Sequence, residues 1–330
     1  LRRWQVRELG EPTEAMELVE EASPEPGAGE VVIEVRAAAL NFFDFLLCRG
    51  EYQEKPDVPF TPGGEVAGVV VEAGEGAGFE PGERVVALPG VPRGGFAERV
   101  VVPAEKVFTV PGAVPFEKAA AVPITYGTAH FALHRRAGVR EGETVLVHAG
   151  AGGVGSAAIQ LARAAGARVL ATAGGEEKTG ICRRLGAEVA IDYRGEDFVA
   201  TVKEATGGRG ADVVIDPVGG EVFDRSRRCV AFEGRIVVVG FASGGIPEIP
   251  ANHLLLKNYS VLGLYWGLYG RVMPGLVAEV GAEIFRLLEK GDVDPLLYRN
   301  GTVPFEEIPR ALEDLAGRRT WGKLVAGLSG

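Results

Sequence analysis

Residues 144–155 read TVLVHAGAGGVG, and residues 156–175 continue SAAIQLARAAGARVLATAGG. A continuous apolar run reads as a strand, the residues from Val154 carry apolar side chains at helical spacing, and Arg168 opens a second strand run. Gly150, Gly152 and Gly155 stand between strand and helix at G-x-G-x-x-G spacing, the context in which such a turn binds a dinucleotide. The first glycine serves the tight turn, Gly152 lets a pyrophosphate approach the backbone, and Gly155 lets the helix pack closely on the strand. With Gly153 and Val154 these residues open the helix, whose free N–H groups and partial positive charge suit phosphate. An ordinary glycine-rich turn would look the same locally.

The alternation that follows decides for the dinucleotide reading. EEKTGICRRLG reads as a helix, EVAIDY as a strand, EDFVATVKEATG as a helix and ADVVIDPVGG as a strand, then EVFDRSRRCVAF as a helix and RIVVVGFASGG as a strand. Apolar strands separated by helical patterns are buried parallel strands with covering helices, so the expected fold class is α/β with a Rossmann doubly wound parallel sheet. NYSVLGLYWG supplies a further strand, PGLVAEVGAEIFRLLEKG and PRALEDLAG two helices, and WGKLVAGLSG a last short strand. Upstream, EVVIEVRAAAL, EVAGVVVEAGEG, ERVVALPG and FAERVVVP are short strand runs cut by glycine and proline, the pattern of a small antiparallel barrel or sandwich. The expected division is residues 1–121, completed by 266–330, against 122–265. No repeat or low-complexity block interrupts it.

Composition narrows the function classes. The chain has 330 residues, 46% hydrophobic and 24% charged, as folded globular proteins do. A net charge of -10 argues against general nucleic-acid binding. Cys48, Cys182 and Cys229 are too few and too scattered for a disulfide framework and form no C-x-x-C pair. No apolar run reaches the roughly 20 residues that cross a bilayer, and LRRWQVRELGEP lacks the apolar core of a signal peptide, so a cytoplasmic protein without membrane contact is expected.

Cofactor choice is decided at the end of the second strand, Ala171-Thr172-Ala173-Gly174-Gly175, where an acid would hold the NAD ribose. No acid stands there. Gly174 leaves space for a 2′-phosphate and Lys178 meets its charge, whereas Glu176 or Glu177 swinging back would serve the ribose; the balance favours NADP. Lys178 is otherwise an ordinary solvated helix charge.

LNFFDFLLCRGEY, TPGGEVAGVV, FEPGERVVAL, AAAVPITYGTAHFAL, HAGAGGVG, LGAEVAIDYR, DVVIDPVGG and VVVGFASG together resemble the medium-chain dehydrogenase/reductase superfamily, specifically its zinc-free quinone oxidoreductase branch. The resemblance implies a GroES-like β-barrel catalytic domain beside the Rossmann domain, a nicotinamide cleft between them, and a homodimer paired through edge strands, with VLGLY as such an edge. Zinc-dependent alcohol dehydrogenases carry a C-x-x-D segment, here Asn41-Phe42-Phe43-Asp44, and a G-H-E segment, here Gly63-Gly64-Glu65; no cysteine lies between Cys48 and Cys182. No metal is therefore expected. Hydrogen bonds alone must polarise the substrate, which favours a quinone or an α,β-unsaturated carbonyl over an alcohol.

The same resemblance places Asn41 and Asp44 at the nicotinamide and substrate, although Asn and Asp are also common turn formers. Tyr52 matches a proton-donating tyrosine of related enoyl reductases, a lone tyrosine being otherwise a packing residue. Thr128 falls near the nicotinamide carboxamide, Phe241 along the nicotinamide, and Tyr193 with Lys178 at the 2′-phosphate. Arg318 or Arg319 adds a cationic contact. Tyr265, Trp266 and Tyr269 line an apolar cleft or serve packing. His130 and His134 lack a third ligand and read as packing residues. Two further readings stand beside the quinone or enone reductase: an enoyl or haloacrylate-type reductase acting on an acid or thioester, and an NADPH-binding protein with a structural or regulatory role.

Overall fold

In the computed structural model, which describes residues 1–328, the glycine-rich turn leaves the strand Thr144–Val147 and enters the helix Gly153–Ala164. All four strand residues are buried, as expected for a strand covered on both faces. Six parallel strands form the sheet. Their order across it is Val189–Asp192, Arg168–Ala173, Thr144–Val147, Ala211–Asp216, Val230–Val238 and Ser260–Gly263. In chain order within this sheet that is 3-2-1-4-5-6, the doubly wound dinucleotide-binding arrangement, with its switch point between Thr144–Val147 and Ala211–Asp216. Leu146, Leu170, Ile191, Val214 and Ile236 pack with Phe198 and Phe223 in one buried cluster.

Three local expectations are corrected. The helix read over EVFDRSRRCVAF stops at Ser226, and Val230–Phe232 already belong to the strand Val230–Val238. Ser226 Oγ donates back to Val222 O at 2.7 Å, Cys229 N closes a turn on Ser226 O, and Glu233 at φ 57° lets the strand bend where the register with Ala211–Asp216 shifts. At the other end, the strand finishes at Val238, so GFASGG is loop. In NYSVLGLYWG only Ser260–Gly263 is strand, and Trp266 begins the helix Trp266–Val272.

The chain divides into two compact units, one comprising Thr125–Tyr269 with Lys290–Asp294 and the other Leu1–Ile124 with Gly270–Glu289 and the residues from Pro295 onward. In the latter, seven strands join one sheet along the path Val303–Pro304, Val325–Gly327, Glu30–Ala39, Glu65–Ala73, Arg84–Ala87 and Val107–Thr109. Arg99–Pro103 branches from the central strand, pairing with Glu30–Glu34 while Val325–Gly327 pairs with Ala37–Ala39 on the same edge. Opposite, Glu65–Ala73 runs antiparallel with two register shifts, bulges that increase the local twist. The paired strands form a branched path, with no closed ring among the described residues. Val31, Ile33, Val35, Val66, Val85 and Val102 fill the core beneath. This frame brings Ala39 opposite both Val325 and Glu65, so residues from three distant stretches meet at one strand end.

Candidate functional site

The glycine-rich turn fits a pyrophosphate, with one change in how it is built. Ala149, not Gly150, takes the left-handed conformation, at φ 51°. Gly150 is demanded by packing: a Cβ there would lie 2.9 Å from Ala171 Cβ and from Cys182 Sγ. A Cβ on Gly155 would lie 2.2 Å from Ala149 O, so the helix start presses directly on the turn. A Cβ on Gly152 would meet only Ala149 O, at 3.2 Å, which leaves that face open to a ligand. Ser156 N, bonded to Gly152 O at 2.8 Å, follows Gly153, Val154 and Gly155, whose amides belong to the first turn, where helical N–H groups have no partner within the helix.

At the end of the second strand, Gly174 lies beneath the third. A Cβ there would sit 2.8 Å from Tyr193 Oη and 3.0 Å from Arg194 Nε, so phenol and guanidinium share the space that glycine frees. Tyr193 is exposed, as is Arg194. The nearest acid on the third strand, Asp192, is engaged: its Oδ1 accepts the N–H of Gly175 at 2.9 Å and of Arg194 at 3.0 Å. These N–H groups, Gly175 first, hold its carboxyl below the usual range. Lys178 is half-buried on the next helix, while Glu176 and Glu177 are exposed in its first turn. Sequence reasoning passed over Arg194, although it directly follows Tyr193 in the same turn.

The loop bearing half-buried Phe241 is tied to the turn that follows Ala211–Asp216. Ala242 N donates to Pro217 O at 3.0 Å, Ser243 Oγ to Val218 O at 2.7 Å, and Gly220 N to Gly245 O at 2.9 Å. Gly219, at φ +69°, carries no Cβ to meet Phe241 Cδ1. Asp216, fully buried, holds the turn from below, with Oδ1 accepting from Val218 N at 2.8 Å and Gly219 N at 3.0 Å. Burial pushes its carboxyl above the usual range against those two bonds. Its Oδ2 is buried without a partner among the described residues.

Thr128 is buried in the helix Thr125–His130. Trp266 lies against that helix, its Nε1 2.7 Å from where a Gly127 Cβ would be, and Tyr269 packs on Phe131 with ring centroids 4.6 Å apart. Both aromatics thus pack within this unit. The rings of His130 and His134 lie tilted against each other, centroids 4.5 Å apart.

In the other unit Asn41 precedes the helix Phe42–Cys48 and is almost fully buried. Its Oδ1 accepts from Lys323 Nζ, and its Nδ2 donates to Glu65 Oε1 at 3.1 Å and to Ala39 O at 3.4 Å. Lys323 Nζ also pairs with Glu65 Oε1 at 2.6 Å, both residues being buried, and Glu65 Oε2 accepts from Ile124 N at 2.8 Å. Removing one partner of such a buried pair costs about 3–5 kcal/mol. Asp44 accepts Asn41 N through Oδ2 at 2.9 Å and Gly63 N through Oδ1 at 3.0 Å. Burial raises its pKa to about 7, offset in part by those N–H groups and by Lys323. Asp44 thus holds the Asn41 backbone, not its side chain. Tyr52 is half-buried, its ring 5.5 Å from that of Phe43. Arg318 is exposed at φ 58°, and Arg319 is paired with Asp314 at 2.7 Å. Glu65 entered the sequence reading only within Gly63-Gly64-Glu65 and Lys323 only within WGKLVAGLSG, because nothing local to either segment shows which distant residues strand pairing brings beside it.

The two segments that would carry zinc ligands do not fit the metal. Asn41 is committed to Lys323 and Glu65, a side chain on Gly64 would strike Phe43 Cζ at 2.3 Å, and no cluster of three His, Cys, Asp or Glu residues suited to a metal occurs among the described residues.

Residues 27–112 match the model of the alcohol dehydrogenase GroES-like domain, and residues 153–281 match that of the zinc-binding dehydrogenases. The chain is 40% identical over 301 residues to a quinone oxidoreductase-like protein 2 homolog of Nematostella vectensis, covering 91% of this chain and 82% of that one. It is 39% identical over 314 residues to quinone oxidoreductase-like protein 2 of Bos taurus, covering 94% and 89%. Among solved structures, Escherichia coli quinone oxidoreductase complexed with NADPH superposes with a TM-score of 0.91 at 30% identity, covering 99% of this chain and all of that one. Fold and site together define a medium-chain dehydrogenase/reductase with a GroES-like domain and a Rossmann sheet. Within that superfamily the chain belongs to the zinc-free quinone oxidoreductase branch.

Proposed function

We propose that this protein is an NADPH-dependent reductase of conjugated carbonyl acceptors, quinones or α,β-unsaturated carbonyl compounds. The reading is carried by one observation: where zinc enzymes bear a cysteine, Asn41 is locked by hydrogen bonds to Lys323 and Glu65. A site of that kind offers hydrogen bonds and no Lewis acid, so the acceptor must already be electrophilic through conjugation.

NADPH supplies the hydride when bound. The amides of Gly153, Val154 and Gly155 and the helix dipole would hold the pyrophosphate, and Lys178, Tyr193 and Arg194 would meet the 2′-phosphate. Thr128 and the Phe241 loop orient the nicotinamide, and Arg318 adds a cationic contact. Asn41 orients the acceptor, Asp44 fixes Asn41 through its backbone, and Tyr52 donates the hydrogen bond or proton that a developing enolate requires. A quinone needs no such acid, since its product oxygens take protons from water.

Tyr52, half-buried beside Phe43, also favours a second reading, an enoyl or haloacrylate-type reductase acting on an acid or thioester. NADPH consumption with 1,4-benzoquinone, 9,10-phenanthrenequinone and a crotonyl thioester separates them. Oxidation by the quinones is expected. Turnover of the thioester alone would move the assignment to the second reading, and measurable NADPH binding without turnover of any would leave a structural or regulatory role. The edge strand Ser260–Gly263 supports pairing of two copies into a homodimer. Sedimentation of a single monomeric species would exclude it. The buried thiols of Cys48, Cys182 and Cys229, pushed up by burial to about 12, 12 and 11, suit a cytoplasmic protein with reduced cysteines.

A further inference from the structure

Three residues far apart in sequence converge at one end of the branched sheet. Ala39 is in register with Val325 on one side and Glu65 on the other, and Leu40 N bonds Leu324 O at 2.9 Å. Lys323, Asn41 and Glu65 are therefore brought together by strand pairing rather than by a loop. An ammonium has only donors, so the side of the Asn41 amide facing Lys323 must be its oxygen. The amide nitrogen is then turned toward Glu65 Oε1 and Ala39 O, both acceptors. No other orientation satisfies all three partners. A hydrophobic pair of the same volume would hold these strands about as well as buried charges do. What only the charged pair provides is an amide of fixed sense, polarised by an adjacent cation.

We propose that Lys323 and Glu65 are positioning residues, a buried clamp that sets the orientation of the Asn41 carboxamide. The proposal rests on the reading of Asn41 as the group that orients the acceptor. Glu65 extends the clamp to Ile124, whose N–H its second oxygen accepts.

The test uses the full chain with selectively ¹⁵N-labelled asparagine. The sequence has four asparagines, Asn41, Asn252, Asn258 and Asn300, so the Asn41 carboxamide signals are assigned by their loss in Asn41→Ala. In Lys323→Met these signals should move, and kcat with a quinone should fall about tenfold or more while the NADPH Kd changes less than about twofold. In Glu65→Gln/Lys323→Met the uncompensated charge is gone, so the thermal midpoint should return toward wild type while kcat and the amide signals do not. This double variant also answers for Lys323→Met if the single variant does not fold. Recovery of kcat and of the amide signals together with stability would overturn the proposal, as would unmoved signals in both variants. If the wild-type protein turns over no acceptor, the functional reading fails on its own, and the amide signals still decide whether the clamp exists.

Discussion

At the residue scale, His148 shows how a motif neighbour can be wholly structural. Its Nδ1 meets Thr172 Oγ1 at 2.9 Å and its Nε2 meets Ser226 Oγ at 2.8 Å, joining two strands and a helix below the glycine-rich turn. Burial lowers its pKa to about 3, with a smaller contribution from Arg225. The unfolded chain therefore binds this proton more tightly, and the stability gained by keeping the imidazole neutral is lost as pH falls from about 6.5 toward 3. Asp44 acts in the opposite sense, its folded pKa of about 7 costing stability as pH rises from 3.8. Comparison with His148→Gln isolates the histidine: between pH 6 and pH 4 the wild type should lose about 1.4 kcal/mol per pH unit more than the variant in chemical unfolding. Parallel curves would refute the assignment. The cofactor phosphate gives a second test. Lys178→Glu and Arg194→Ala should each weaken NADPH binding about tenfold or more, with little change for NADH, because charge-assisted hydrogen bonds contribute about 1.5–3 kcal/mol each. Equal losses for both nucleotides would contradict it. The proposed role of Lys178 was legible from helix position. Arg194 was not, because its approach to Gly174 depends on how the third strand lies over the second.

Among the elements, the turn and the Phe241 loop carry the clearest consequences. Gly155→Ala places a methyl 2.2 Å from Ala149 O, so the helix start must shift. Overpacking of this kind costs about 1–3 kcal/mol, and NADPH titration should show a large loss of affinity together with a lower thermal midpoint. Retained affinity would mean that the turn does not hold the pyrophosphate. Asp216→Ala leaves the N–H groups of Val218 and Gly219 unpaired, at about 1–3 kcal/mol each, and loosens the turn to which the Phe241 loop is tied. NADPH affinity should fall about tenfold, and Asp216→Asn, which keeps one acceptor, should recover most of it. The strands and most helices here were readable because their periodicity is local. The boundary at Ser226 was not, since RRCVAF satisfies a helical pattern and only pairing with Ala211 makes Val230 a strand residue.

At the scale of the whole molecule, the poor fit of the described residues to a metal has a direct test. Exhaustive chelation followed by assay should leave quinone reduction unchanged, because the segments that would carry zinc ligands present a committed Asn41 and a Gly64 covered by Phe43. Loss of activity restored by zinc would overturn that. The alternation of strands and helices from Thr144 to Val238, the glycine-rich turn and the missing cysteine and histidine could be read from the chain alone, since each depends on residues contiguous in sequence or on which residue types occur at all. The environment of Asn41 was decided only by tertiary structure. Lys323 lies 282 residues away from it and Glu65 24 residues away, and only the register of three strands brings them into one buried cluster, where an unpaired charge could not remain.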